Sequence, residues 1–148
     1  MPSPAKPFQI LVVDDHAPTA KLISSAFEET SDIVVTHVVS RGQDCLDELQ
    51  ETNGRSQLPD FVLLDLGLPD IDGFEVLEAI RSNPATRHLP VVVLSGQSDE
   101  QTINRCYQEG ANTFMAKPDD YDEYLTLAEL IVDYWRSGAQ LPARTVCS

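Results

Sequence analysis

The sequence predicts a doubly wound α/β domain, a five-stranded parallel sheet in the order 2-1-3-4-5 with five helices shared between its two faces. Three observations carry that expectation. Short apolar runs rich in β-branched residues alternate five times with longer amphipathic stretches. The central runs, Ile10-Leu11-Val12-Val13, Phe61-Val62-Leu63-Leu64 and Val91-Val92-Val93-Leu94, carry no polar residue on either face, as strands do when helices cover both sides. A chain of 148 residues fits one such domain, and right-handed crossovers leave few other ways to connect five β/α units.

Each element has its own reason. Residues 1–7 hold three prolines and read as a flexible N-terminus, ahead of a domain spanning 8–136 and a C-terminal tail at 137–148. Phe8–Val13 is apolar and too short for a helix, so it is the first strand. Pro18 stands near the start of a helix over Thr19–Glu29, where a missing N–H is tolerated. Ile33–Val39 follows as a strand and Gly42–Glu51 as a helix, then the turn-rich loop Thr52–Pro59. Phe61–Leu64 is the third strand, closed by Asp65 and the loop Gly67–Gly73. The next helix, Phe74–Arg81, sets Phe74, Leu77 and Ile80 on one face. Pro90–Leu94, Asp99–Tyr107, Thr113–Ala116 and Tyr121–Trp135 complete the alternation as strand, helix, strand and helix.

Composition excludes several classes. Against 10 Lys+Arg stand 24 Asp+Glu, a net charge of −14, which repels nucleic-acid backbones and anionic lipid. Cys45, Cys106 and Cys147 leave an odd thiol and form no CxxC pair, which argues against a disulfide scaffold or a structural zinc site. The run Ile10–Val13 stops at two aspartates, far short of a membrane span, and no signal-peptide pattern precedes it. A reducing cytoplasm is the expected home.

In an open parallel sheet, function sits in the crevice beyond the carboxyl ends of the strands. Acids recur there: Asp14 and Asp15 after the first strand, Asp65 after the third. Ser95 ends the fourth strand and Lys117 the fifth. Taken singly, each is ordinary cap or loop chemistry, and His16 reads as a solvent-facing loop histidine. Taken together, they put three carboxylates in one pocket. At an effective dielectric of ~20 and a separation of ~4 Å, each like-charge pair costs about 4 kcal/mol. Lys117 supplies one compensating charge and a divalent ion would supply two more. Oxygen-only ligands suit Mg²⁺.

These residues resemble the receiver domain of two-component response regulators, over nearly the whole chain from about Phe8 to Trp135. The matching pieces are Leu11–Asp15, Leu63–Gly73, Val93-Leu94-Ser95, and Gly110-Ala111-Asn112 leading to Phe114 and Lys117-Pro118, with the family's usual spacing from Asp65 to Ser95 and Lys117. The resemblance implies a flavodoxin-like receiver fold in which Asp65 is the phosphoacceptor, a carboxylate nucleophile taking phosphoryl from a histidine kinase. It further implies that Asp15 binds Mg²⁺ directly and Asp14 mainly through water, with the Gly67 carbonyl as another ligand. Lys117 would pair with Asp65 and then with a phosphoryl oxygen, Ser95 would hydrogen-bond another, and Phe114 would be the switch aromatic. A cis Lys117-Pro118 bond is expected on the same ground.

The segment Val132–Pro142 is similar to the end of small single-domain regulators paired with bacterial phytochromes, which makes a bacteriophytochrome the expected kinase partner of this chain and leaves its downstream protein target or phosphorelay partner unspecified. Those relatives often carry Glu-Asp and Asn where this chain has Asp14-Asp15 and Gly67. One alternative is an aspartate-nucleophile, Mg-dependent phosphatase, but such enzymes usually place a general-acid Asp at the position of Gly67. Another is a truncated receiver of a DNA-binding regulator, which the net charge opposes. The last helix is apolar on more than one face. Tyr124, Leu127, Ala128, Ile131 and Trp135 suit the core, which leaves Tyr121, Leu125, Leu130 and Tyr134 for a homodimer contact with no nucleic acid or membrane involved.

Overall fold

Five parallel strands, β1 (Phe8–Val13), β2 (Val34–Val39), β3 (Phe61–Leu64), β4 (Val91–Ser95) and β5 (Thr113–Ala116), form one sheet in the order β2-β1-β3-β4-β5. The helices between and after them are α1 (Ala17–Thr30), α2 (Gly42–Glu51), α3 (Gly73–Ser82), α4 (Glu100–Gln108) and α5 (Tyr121–Ser137). This computed structural model describes residues 8–30, 34–51 and 58–137. The expected flexible N-terminus 1–7, the tail from residue 138, Ile33 and most of the Thr52–Pro59 loop lie outside the described residues.

Strand alternation divides the core in two. Ile10, Val12, Phe61, Leu63, Val92 and Leu94 point to one face, where they meet Ile23 and Phe27 of α1 and Tyr124, Leu127, Ala128, Ile131 and Val132 of α5. Leu11, Val13, Val62, Leu64, Val91 and Val93 point to the other, against Cys45 and Leu49 of α2, Val76, Leu77 and Ile80 of α3, and Cys106 of α4. Both faces of β3 and β4 are therefore dry, which accounts for their unbroken apolar sequence. Cys45 and Cys106 sit in this packing as small apolar residues, and burial pushes the Cys45 thiol up to about 12.

Register brings the strand ends level. Val13 pairs with both Val39 and Leu64, and Leu64 with Val93, so the residues just beyond β1 and β3 emerge side by side. The ladder continues one step further: the Asp65 amide donates to the Val13 carbonyl at 2.9 Å and the Lys117 amide to the Ser95 carbonyl at 2.9 Å.

Element ends differ from expectation where a side chain takes over a backbone partner. Helix α1 begins at Ala17 instead of Thr19 because His16 caps it: the Thr19 amide donates to His16 Nδ1 at 3.3 Å. Asp99 caps α4 through the Thr102 amide, and Asp72 caps α3 through that of Phe74. Helix α5 runs to Ser137, past Trp135 and one residue into the expected tail. Val132, which the periodicity left unassigned, is buried. The expected cis Lys117-Pro118 bond is corrected: among the described residues no peptide bond is cis. A tertiary amide still prefers trans by about 0.5–1 kcal/mol, and the lysine reaches its partners without the cis form.

At the opposite end of the sheet from the aspartates, Arg81 on α3 acts as a clamp. Its Nε donates to the Gly110 carbonyl at 2.8 Å, Nη1 to those of Leu89 and Arg87 at 2.7 and 3.2 Å, and Nη2 to Asn112 Oδ1 at 2.9 Å. The same Asn112 oxygen accepts from the Val91 amide at 2.8 Å, so one guanidinium ties α3 to the starts of β4 and β5. Gly110, at φ 104, lies where a Cβ would stand 3.0 Å from the Arg81 side chain. Arg81→Met is expected to cost about 2–4 kcal/mol in urea unfolding, because it strands partly buried carbonyls without donors. Arg81→Lys should recover only a small part, since an ammonium does not reproduce the planar fork.

Candidate functional site

The level strand ends make a pocket of three carboxylates. One oxygen each of Asp14, Asp15 and Asp65 lies within 4.8 Å of the other two, with Asp14 and Asp65 buried and Asp15 exposed. Lys117 enters from the end of β5 and sets Nζ 3.3 Å from Asp14 Oδ2 and 3.3 Å from Asp65 Oδ2. Four of the residues singled out in the sequence thus meet at one point.

The two sides of the pocket differ electrically. Burial pushes the Asp14 carboxyl above its ordinary value; the His16 amide and Lys117 pull it down, Asp65 pushes it further up, and the net shift is upward. For Lys117, burial opposes the charge, but the carboxylates of Asp65 and Asp14 outweigh it and the net shift is also upward. The lysine therefore stays cationic through neutral pH. One ammonium against three carboxylates leaves the pocket short of positive charge.

That shortage bears on whether a divalent cation fits. The donors are carboxylate oxygens with no sulfur or imidazole among them, they come from the ends of two strands, and one of them, Asp15, faces solvent. A hard cation that keeps some of its waters suits such a set. The pocket fits the group.

The loop after Asp65 is held firmly. Gly73 begins α3 where a Cβ would come within 2.6 Å of Leu66 Cα and 2.8 Å of the Asp65 carbonyl oxygen, so the helix packs directly on the backbone of the central aspartate. Asp70 reaches across to α2, accepting from the Gly42 and Gln43 amides at 2.8 and 2.9 Å. These donors, Gln43 foremost, hold its carboxyl down at about 2. Gly67 lies exposed in the same loop, its amide 3.4 Å from Asp65 Oδ1.

Ser95 is buried at the end of β4, where its Oγ accepts from the Gln97 amide at 3.0 Å. Phe114 is half-buried and packs on the α3–α4 side of the core, apart from the carboxylate cluster. Its amide donates to the Tyr107 hydroxyl at 3.1 Å, which occupies an edge-strand donor. Three participants escaped the sequence reading. His16 is more than a loop histidine, because its amide donates to Asp14 Oδ1 at 2.9 Å while its ring caps α1. Its partner Thr19 could have been found from the three-residue spacing ahead of an apolar helix; Asp70 and Tyr107 act across distances no local pattern encodes.

A parallel sheet of this order, with acids and a lysine at its carboxyl edge, defines a class of α/β domains that work through the loops at that edge. Within that class the chain belongs to the response regulator receiver family: the model for the "response regulator receiver domain" matches residues 10–129. Among its relatives is the probable methanogenesis regulatory protein FilR2 of Methanothrix harundinacea, 38% identical over 138 residues, covering 92% of this chain and 88% of FilR2. Response regulator Rcp1 of Synechocystis is 31% identical over 140 residues, covering 93% and 95%. A Mn²⁺-bound form of Rcp1 matches with a TM-score of 0.78 at 30% identity, covering 93% of this chain and 100% of the other. The phosphorylated cyanobacterial phytochrome response regulator RcpA matches with a TM-score of 0.84 at 30% identity, covering 92% and 99%. The protein is a response regulator, a signalling switch of two-component systems. No helix among the described residues is long and apolar enough to cross a membrane.

The raised Asp14 carboxyl has a thermodynamic consequence. A group whose folded-state value lies above its unfolded value favours the fold at low pH, and that contribution is lost as pH rises through the folded value. At neutral pH the charged Asp14 is therefore a liability. Asp14→Asn, which keeps the acceptor for the His16 amide, should raise the thermal midpoint at pH 7 by a few degrees. The gain should vanish at a pH where Asp14 is protonated in both states. Calorimetry across that range checks it, and an unchanged or lower midpoint at pH 7 contradicts it.

Proposed function

We propose that this receiver takes phosphoryl onto Asp65 from the phosphohistidine of a histidine kinase. The observation that carries the reading is the pairing of Asp65 with Lys117 at 3.3 Å beside two further carboxylates. Asp14, Asp15 and Asp65, with the Gly67 carbonyl, would hold Mg²⁺. When bound, the ion supplies positive charge against the phosphoryl oxygens. The Asp65 carboxylate attacks phosphorus as the donor's P–N bond breaks and the kinase histidine leaves as imidazole, Lys117 keeps one phosphoryl oxygen compensated, and Ser95 donates a hydrogen bond from its hydroxyl to another. Ser95 and Phe114 form the two-state element that the new dianion biases. The chain acts only on its own phosphoryl group, turning over no separate substrate.

The likeness to Rcp1 and to the phytochrome regulator RcpA supports a bacteriophytochrome as the kinase. The net charge of −14 supports a protein target over nucleic acid, and buried unpaired thiols suit a reducing cytoplasm. A two-fold homodimer through α5 is part of the reading. Leu130 and Tyr134 are 59% and 62% exposed and border a groove of about 260 Å³ shared with Val92, Thr113, Met115 and Ile131.

Three outcomes test this function. Asp65→Asn should fold normally yet take up no phosphoryl from acetyl phosphate and Mg²⁺; undiminished uptake would sink the assignment. Gly67→Asn should slow dephosphorylation several-fold, since a Cβ there meets nothing within 4 Å and the amide can screen the phosphoryl group from water. Equal or faster decay contradicts that role. Sedimentation equilibrium at micromolar concentration should give a dimer mass for the full chain, and a monomer mass with and without phosphorylation ends the dimer proposal.

A further inference from the structure

Helix α2 starts without a local side-chain cap. The Arg41 carbonyl accepts the first bond of the helix, from the Cys45 amide at 3.2 Å, but the Arg41 guanidinium has donors only and pairs with Asp44. The Gly42 and Gln43 amides therefore need an acceptor from another segment, and Asp70 of the β3–α3 loop supplies it. Oδ1 takes the first amide at 2.8 Å and Oδ2 the second at 2.9 Å, so both oxygens are engaged. The next residue adds an apolar contact to the same junction. A Cβ on Gly42 would stand 2.5 Å from Ile71 Cγ1 and 2.8 Å from Val76 Cγ2, so the loop and α3 rest on the bare backbone of α2.

The loop has few other holds on its outer part. Its base is fixed: the Asp65 amide joins the ladder at Val13, and the Gly73 amide donates to the Leu66 carbonyl at 3.1 Å. Further out, Gly67, Pro69 and Asp70 are exposed, while Leu68 and Ile71 pack at the margin of the core. Among the described residues, the loop's side-chain hydrogen bonds to another element are the two made by Asp70. Gly67 has no side chain to pack, and a Cβ there would meet nothing within 4 Å. Its amide lies 3.4 Å from Asp65 Oδ1, too long to fix the peptide by itself. Only Leu68 and Pro69 separate Gly67 from Asp70, and the proline holds its own φ and narrows the conformations open to Leu68. A clamp at Asp70 is thus felt at Gly67 through a short, stiff link.

We propose that Asp70 is a positioning residue for the divalent-cation site: by capping α2 it fixes the β3–α3 loop so that the Gly67 carbonyl is presented to a cation held by Asp14, Asp15 and Asp65. The inference rests on the reading of those three carboxylates and the Gly67 carbonyl as the cation's ligands. Polar partners that orient metal ligands typically change metal affinity by about 10–100-fold when removed. A neutral carbonyl is the weakest donor of this set, so the lower end applies.

The experiment is Mn²⁺ binding to the full chain, followed by electron paramagnetic resonance without any phosphodonor. Line broadening in isotopically enriched water counts the waters on the ion, and the unfolding midpoint of each metal-free variant is recorded alongside. Wild type should bind one Mn²⁺; no binding would overturn the cation site and this proposal together. Asp70→Asn keeps the shape but turns an NH₂ toward one of the two α2 amides. It should weaken Mn²⁺ binding by about tenfold and add one water to the ion in place of the carbonyl. Gly42→Ala keeps the Asp70 charge and drives a methyl into Ile71, and it should move both readouts the same way. Asp99→Asn is the control matched in charge: it removes the carboxylate that caps α4 through the Thr102 amide and should change neither readout. Wild-type affinity in Asp70→Asn overturns the proposal, and so does a loss of affinity there with no added water. An equal loss in Asp99→Asn also overturns it, by assigning the effect to net charge. Should Asp70→Asn fail to fold, Gly42→Ala decides by the same two readouts.

Discussion

Repulsion among Asp14, Asp15 and Asp65 is the interaction on which the rest of this structure depends. Three carboxylates gathered within 4.8 Å, two of them buried, are held together against their own charge by strands that do not let them part. Lys117 offsets part of it by lying 3.3 Å from both buried acids. What remains is a deficit of positive charge among the carboxylates. A site in that condition suits a divalent cation, and on the proposed reading a phosphoryl group added at Asp65 would fall among groups already arranged for its oxygens.

Holding such a pocket requires a stiff frame, and the frame is visible on every side. The parallel ladder extends past the strands to the Asp65 and Lys117 amides. Gly73 lets α3 rest on the Asp65 backbone, Asp70 ties the following loop to α2, and Arg81 locks the far end of the sheet. Loose packing at any of these points would allow the acids to separate and the charge deficit to relax. The raised Asp14 carboxyl records chiefly its burial within that frame, with the neighbouring Asp65 charge adding a smaller push. Stability is given up locally for a poised site.

Much of this was legible in the sequence because the relevant forces are local or periodic. The dry faces of β3 and β4 write themselves as Phe61–Leu64 and Val91–Leu94, and strand ends are where acids, a serine and a lysine stand out. Register then turns separate signals into one pocket without further information. What escaped was of another kind. His16 has a backbone amide and a ring that serve opposite neighbours, and capping by histidine carries almost no statistical signal. Asp70 finds its partners 27 and 28 residues away, and Arg81 grips carbonyls on two separate segments, so both depend on the folded geometry alone. The proline after Lys117 was expected to take the cis form, yet the lysine meets both acids from a trans bond. Val132 belongs to the core because α5 rotates a broader face onto α1 and the sheet than a single stripe implies.

The central claim is that the charge arrangement selects one of three neighbouring carboxylates as the phosphoryl acceptor. Borohydride reduction of the acyl phosphate formed with acetyl phosphate and Mg²⁺ converts the acceptor aspartate to homoserine, and peptide mapping by mass spectrometry locates it. Homoserine in place of Asp65 alone is the result this account predicts. Homoserine in place of Asp14 or Asp15, or at none of the three, would contradict it.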